Sequence, residues 1–188
     1  MIAWELPTSL EVGGIAWKIR TDFRAILDIL RYFSDEEYEE DERWEICLDI
    51  LYEDFENMPY SMHEDAMQKA AQFIDMGIQN GKNKPHAMDW EKDASIIIPS
   101  VNRVLGCEVR ASEYMHWWTF LGAYMEIGES LFSQIVNIRQ KRAKGKKLEK
   151  WEKEFEKENR ELIRLTKKSQ RSKEELNEIR ELLGLARK

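Results

Sequence analysis

The sequence predicts a mainly α fold: a compact helical domain with a small N-terminal β-hairpin and a C-terminal helical arm. Three observations lead there. Of 188 residues, 43% are hydrophobic and 35% charged, with only 9 glycines and 4 prolines, the profile of a charged, helix-rich globular chain rather than a sandwich or a disordered one. Apolar residues recur three and four apart along most of the chain, which gathers them on one face of a helix. One exception, SLEVGGIAWKIR from Ser9 to Arg20, alternates apolar and polar residues about Gly13-Gly14, the signature of a hairpin closed by a two-residue turn.

After the hairpin, Thr21 or Asp22 caps a helix with Phe23, Ile26, Leu27 and Leu30 inward, ending near Ser34. The acidic run DEEYEEDE, Asp35 to Glu42, lacks the glycine and the alternating ligands of a calcium loop. It reads as the solvated start of the next helix, its carboxylates at the positive end of the helix dipole. That helix carries Trp44, Cys47, Leu48, Leu51 and Phe55 inward, and Met58-Pro59 stops it. Ser61 with Glu64 predicts a capping box for a third helix through Ala66, Ala70, Phe73 and Ile74, closed by GKNKP at Gly81 to Pro85. From Asp89 a further helix runs to Leu105, kinked or divided by Pro99 and ended by Gly106. Ser112 opens the helix that holds MHWWTF, Met115 to Phe120. Gly128 separates it from a helix that starts near Ser130 with Leu131, Ile135 and Ile138 inward, so that the two make a helical hairpin.

The chain divides into a body over 1–143 and an arm over 144–188, with Gly145 as the hinge. In the arm Leu148, Trp151, Phe155, Leu162 and Leu165 follow alternating steps of three and four, a heptad-like stripe that Leu176, Ile179 and Leu183 continue. Ser172 and Glu175 make a second capping box, so the arm reads as two helices. Charge divides similarly. Residues 139–188 hold 18 Lys and Arg against 10 Asp and Glu, net +8, which leaves −15 for the rest of a chain whose total is −7. A basic tail beside an acidic body suits an acidic partner or an attraction within the chain, but its positive charges alternate with Glu, so it reads first as a solvated face.

Cys47 and Cys107 are isolated thiols with no secretory signal before them, which points to a reducing compartment, and no apolar run approaches the ~18 residues of a membrane span. Glu113 and His116, three apart on a helix, would be half of a carboxylate-bridged di-iron site. His63 and His86 lack a glutamate three residues earlier, so no metal is expected. No serine sits in a Gly-x-Ser-x-Gly elbow. MHWWTF is therefore read as core, with His116 hydrogen-bonding across a packed interface or reaching solvent, and with Gly122 allowing close helix contact. No catalytic residue and no cofactor are expected.

These residues resemble the bacteriophage gene-product-fifteen family, small proteins encoded among siphophage tail genes. The resemblance spans Leu6 to about Arg142. It rests on Leu6-Pro7, the hairpin leading into IRTDFR (Ile19 to Arg24), DWEKD (Asp89 to Asp93), MHWWTF and NIRQKR (Asn137 to Arg142), of which HWW is the most specific. One departure is Leu105, where an aromatic is expected before the glycine of GCEV.

The resemblance implies a non-enzymatic tail assembly protein: a chaperone for the long, hydrophobic tape-measure protein, with other tail proteins as further partners. It would act in the cytoplasm of the infected bacterial host and be absent from the mature virion. On that reading Leu148, Trp151, Phe155, Leu162 and Leu165 are the candidate contacts, Trp151 and Phe155 foremost. Folding back onto the body and self-pairing in a homo-oligomer stay open beside client contact. Two other functions compete. One is a nucleic-acid-binding module using KRAKGKK (Lys141 to Lys147) and the basic tail, against which stand the acidic body and the lack of interleaved aromatics. The other is a structural tail component of the virion.

Overall fold

The computed structural model describes residues 4–35, 37–78 and 87–165. They are mainly α-helical with one two-stranded antiparallel sheet. They fall into two compact units, one formed by residues up to 78 together with His116–Trp118, the other by 87–115 and 119–165.

In the first unit, β1 (Ser9–Val12) pairs with β2 (Ile15–Lys18), Val12 opposite Ile15. Gly13 and Gly14 have φ of 58° and 79°, the left-handed pair that a tight hairpin turn needs and that other residues adopt only at a cost. Leu10 and Val12 point into the core. The Gly13 amide donates to the Asp65 carboxylate at 2.9 Å, which ties the turn to α3 (His63–Ile74).

IRTDFR distributes its polar groups over several helix ends. Ile19 bridges Tyr52. Arg20 Nη1 donates among the carbonyls of Asp49 and Ile50 at 2.9 Å and Tyr52 at 3.1 Å, acceptors left open where α2 (Glu40–Leu51) stops. The Thr21 carbonyl takes the Trp117 amide at 2.7 Å. Asp22, rather than Thr21, caps α1 (Phe23–Phe33) by accepting the Arg24 amide at 3.0 Å. Helix α1 packs on α2 and buries Phe23, Ile26 and Ile29. Leu27 and Leu30 are only half-buried, so the inward stripe is rotated from the expected one.

Three expectations for this unit are corrected. Glu39 and Glu42 close a capping box at the start of α2, as carboxylates at the dipole's positive end should, but Asp35 and Tyr38 of the same acidic run are buried. Helix α2 ends at Leu51, well before Met58-Pro59. Tyr52 turns extended to pair with Ile19, its hydroxyl donates to the Ala66 carbonyl at 3.0 Å, and Phe55 falls in a short 3-10 turn. The bridge and the buried hydroxyl bond take the place of another helical turn. The Ser61–Glu64 capping box does not form, because a 3-10 turn over Tyr60–Met62 runs straight into α3 and puts Met62 at the cap position.

MHWWTF also differs from expectation. Helix α5 spans Trp117–Met125, and residues 112–115 are not helical, so Glu113 and His116 never share a helix face and the di-iron spacing vanishes. His116, 3% exposed, stands at the helix start. Its Nδ1 accepts the Trp118 amide at 3.0 Å, so Nε2 carries the proton and donates to the Pro7 carbonyl at 3.0 Å. The indoles of Trp117 and Trp118 donate to the carbonyls of Ile74 and Phe73, each at 2.8 Å. Those are last-turn carbonyls of α3: Phe73 also accepts the Met76 amide at 3.1 Å, and the Ile74 carbonyl is one a continuing helix would have satisfied. Trp117 and Phe120 are core, whereas Tyr114 and Met125 are exposed. A Cβ added at Gly122 would meet nothing within 4 Å, so this glycine makes no close helix contact.

In the second unit α4 (Ala94–Leu105) starts well after Asp89, and Pro99 lies inside one continuous helix. The Ser100 hydroxyl donates to the Ile96 carbonyl at 2.8 Å, and Gly106, at φ 70°, ends the helix. Trp90 lies 4.8 Å from Tyr124 of α5, and Tyr124 5.7 Å from Phe132 of α6 (Leu131–Ala143). Ser130 caps α6 by accepting the Ser133 amide at 3.0 Å. Phe132, Ile135 and Ile138 face inward, and Leu131 is exposed. At Gly145, φ 64°, the chain closes α6 as the Lys146 amide returns to the Lys141 carbonyl at 2.8 Å. Then follow α7 (Lys150–Glu158), with a Glu149–Glu152 capping box, and α8 (Arg160–Ile163). The GKNKP turn, the Ser172–Glu175 box and Leu176, Ile179 and Leu183 lie outside the described residues.

The His116 geometry makes a measurable claim. Replacing His116 with Ala removes a helix cap and leaves the Pro7 carbonyl without its donor, so urea unfolding should show a loss of about 1–3 kcal/mol. A change below about 0.5 kcal/mol would mean that the imidazole contributes little beyond volume.

Candidate interaction surface

Of the expected contact residues, Trp151 and Phe155 stand on α7 and Leu162 on α8, with Leu148 just before and Leu165 just after them, and what positions those helices is a buried arginine. Arg139 of α6 and Asp93 before α4 form an ion pair with side chains 4% and 2% exposed. Arg139 Nη1 meets Asp93 Oδ2 at 2.6 Å, and Nη2 meets Oδ1 at 2.9 Å. The remaining N–H groups are also used. Nη1 donates to the Ala87 carbonyl at 3.0 Å, Nε to Ile163 at 3.0 Å and Nη2 to Leu162. A guanidinium has five N–H donors, and all five are engaged here. Asp93 Oδ2 additionally accepts the Asp89 amide at 3.0 Å. The Tyr124 hydroxyl feels this centre: burial, and then the Asp93 charge, push it up to about 12.

Helix α7 is held by two further pairs from α6. Glu152, with a side chain 0% exposed, accepts from Lys141 Nζ at 2.5 Å, from the Glu149 amide at 2.9 Å and from Asn137 at 3.4 Å. The Lys141 ammonium, followed by the Glu149 amide, holds the Glu152 carboxyl below the usual carboxylate range. Glu156 takes Arg142 through both oxygens, with Nε at 3.0 Å.

Against this frame the candidate contacts separate. Leu148 is buried, Phe155, Leu162 and Leu165 are half-buried, and Trp151 is 47% exposed. The stripe is not one heptad seam, since Asn159, at φ −112° and ψ 32°, divides α7 from α8. The residues 144–165 lie in the second unit with α4 and α6. Sequence reading overlooked Lys153, Lys157, Arg160 and Arg164, which line an open groove beside α7 and α8 together with Glu156 and Ile163. Their spacing of four within each helical stretch was the available signal.

A family model described as Bacteriophage Gp15 protein matches residues 2–168, and the chain belongs to that family. No curated protein and no solved structure matches it. Among the residues that carry the sequence resemblance, DWEKD supplies Asp93 and NIRQKR supplies Arg139, the two partners of the buried pair.

Replacing Asp93 with Asn strands the Arg139 charge in the interior, and chemical unfolding should show a loss of about 3–5 kcal/mol. Exchanging both partners for apolar residues, as in Asp93→Leu with Arg139→Met, should recover part of that loss; no recovery would place the cost in packing instead. Acid gives a second test. Because the folded-state pKa of Glu152 is lowered, its contribution is fully present above the unfolded value of about 4.3 and is lost as pH falls through the folded one. The stability difference between wild type and Glu152→Gln should therefore be constant near neutrality and shrink below about pH 4. Parallel curves throughout would mean that Glu152 acts without its charge.

Proposed function

We propose that this member of the Bacteriophage Gp15 family is a non-enzymatic tail assembly protein, a chaperone that binds the tape-measure protein while the tail tube forms around it. The observation that carries the reading is Trp151, half in solvent on a helix that cannot fold it away. Its helix is fastened through Lys141–Glu152 and Arg142–Glu156 on another face. An exposed indole on a fixed helix can receive the apolar side of a client helix, and tryptophan dominates such contacts out of proportion to its number. Phe155 lies one turn further along α7 and is half-buried, which extends the apolar strip.

A non-catalytic role draws support from where reactive groups are spent. Both ring nitrogens of His116 are occupied by backbone. The Cys47 thiol is buried and pushed up to about 12 by that burial, which keeps it in the inert thiol form. Arg139 has no donor to spare. On this reading the protein works in the cytoplasm of the infected host and does not stay in the finished particle.

Co-expression with the tape-measure protein of the same genome tests it. The soluble, co-purifying fraction of the client should rise severalfold with this chain and fall again with Trp151→Ala, whose exposed site leaves the fold intact. A client equally soluble with and without this chain would overturn the reading.

A further inference from the structure

The groove beside α7 and α8 is an open concavity of about 420 Å³ lined by Lys153, Glu156, Lys157, Arg160, Ile163 and Arg164. Among the described residues its one carboxylate, Glu156, is already committed to Arg142. Among the described residues none of the four cations makes an ion pair. Lys153 and Lys157 stand one turn apart on α7, and Arg160 and Arg164 one turn apart along α8 and its C-cap. Like charges arrayed round a concavity focus a positive potential there and favour an anionic occupant.

The same sequence supplies one. Seven of the eight residues from Asp35 to Glu42 are acidic, and Glu39, Glu40 and Asp41 are exposed where α2 begins. The Glu39–Glu42 capping box fixes the backbone that presents them, so little conformational freedom is left to lose on docking. With a total charge of −7, two copies repel on average, and only an oriented approach that sets acidic run against basic groove is attractive.

We propose that the basic groove of one copy receives the acidic start of α2 of a second copy. The two surfaces differ, so the contact is head-to-tail, and each copy keeps one free groove and one free acidic end until a ring closes or a filament grows. A nucleic-acid strand is the other polyanion that could enter. Among the described residues no aromatic side chain lines the groove to stack its bases. The proposal is independent of client binding, since it uses neither Trp151 nor Phe155.

Sedimentation velocity of the full chain at rising concentration tests it. In low salt the mass should grow with concentration and revert to monomer in about 1 M salt, where the Debye length falls to about 3 Å. Lys153→Glu with Lys157→Glu should weaken association by at least about tenfold, as should Glu40→Lys with Asp41→Lys, all four sites being exposed. Mixing the two charge-reversed proteins should restore association, because each then complements the other; that rescue also shows that both remain folded. A monomer at every concentration, or association indifferent to both reversals, overturns the proposal. So does a short labelled DNA that binds the wild-type groove and not the Lys153/Lys157 variant while the protein stays monomeric.

Discussion

The second unit depends on one interaction, the buried pair of Arg139 and Asp93. Three stretches distant in sequence meet at a single guanidinium: the segment ahead of α4 with the Ala87 carbonyl and Asp93, Arg139 itself on α6, and the Leu162 and Ile163 carbonyls at the end of α8. Removing two charges from water is costly, and their attraction inside recovers the cost only when geometry is good and no donor is left over. Arg139 meets that condition with all five N–H groups engaged. Its planar fork also accepts few alternative arrangements, so the pair selects one packing of α4, α6 and α8 where Phe132, Ile135 and Ile138 alone would tolerate several.

The first unit solves a related problem by other means. Short helices leave many backbone groups unpaired at their ends, and here side chains from elsewhere in the chain meet them. Arg20 serves the end of α2, the indoles of Trp117 and Trp118 serve the end of α3, and His116 serves the start of its own helix while holding Pro7. The aromatic density of MHWWTF is thus a set of directed hydrogen bonds carried on apolar bodies, the dual character that suits Trp to such positions.

What the sequence disclosed follows from which interactions are local. The hairpin was legible because Gly13-Gly14 and the alternation beside it dictate one turn, and the helix starts at Thr21 or Asp22 and near Ser130 were legible because a cap acts over two or three residues. The end of α2 was not, since the competitor that unwinds it is Ile19, more than thirty residues earlier. The late start of α5 was hidden likewise, because His116 takes a capping role unusual for its type and secures it with Pro7. For the candidate surface, periodicity found Leu148, Trp151 and Phe155, with Trp151 and Phe155 put foremost, but spacing alone carries no sign of which of them is exposed. Glu152 is buried beneath Lys141, and with that face of α7 inward Trp151 is left outward, while Leu148, just before the helix, is buried. The basic groove needed the break at Asn159 to bring α7 and α8 round a concavity, and no residue spacing foretells that angle.

The three residues His116–Trp118 complete a unit whose other described residues all precede residue 79. On a ribosome the hairpin and α1 to α3 emerge first, with the carbonyls of Pro7 and Ile74 still awaiting their donors. About 40 further residues must be synthesised before the clasp arrives, a delay of roughly 2–8 s at ordinary elongation rates. During that interval the surface beneath the two tryptophans is open, and the nascent chain is at its most vulnerable to misassociation on crowded polysomes. The clasp thus makes completion of the first unit a late event in translation, governed by the passage of residue 118 out of the exit tunnel.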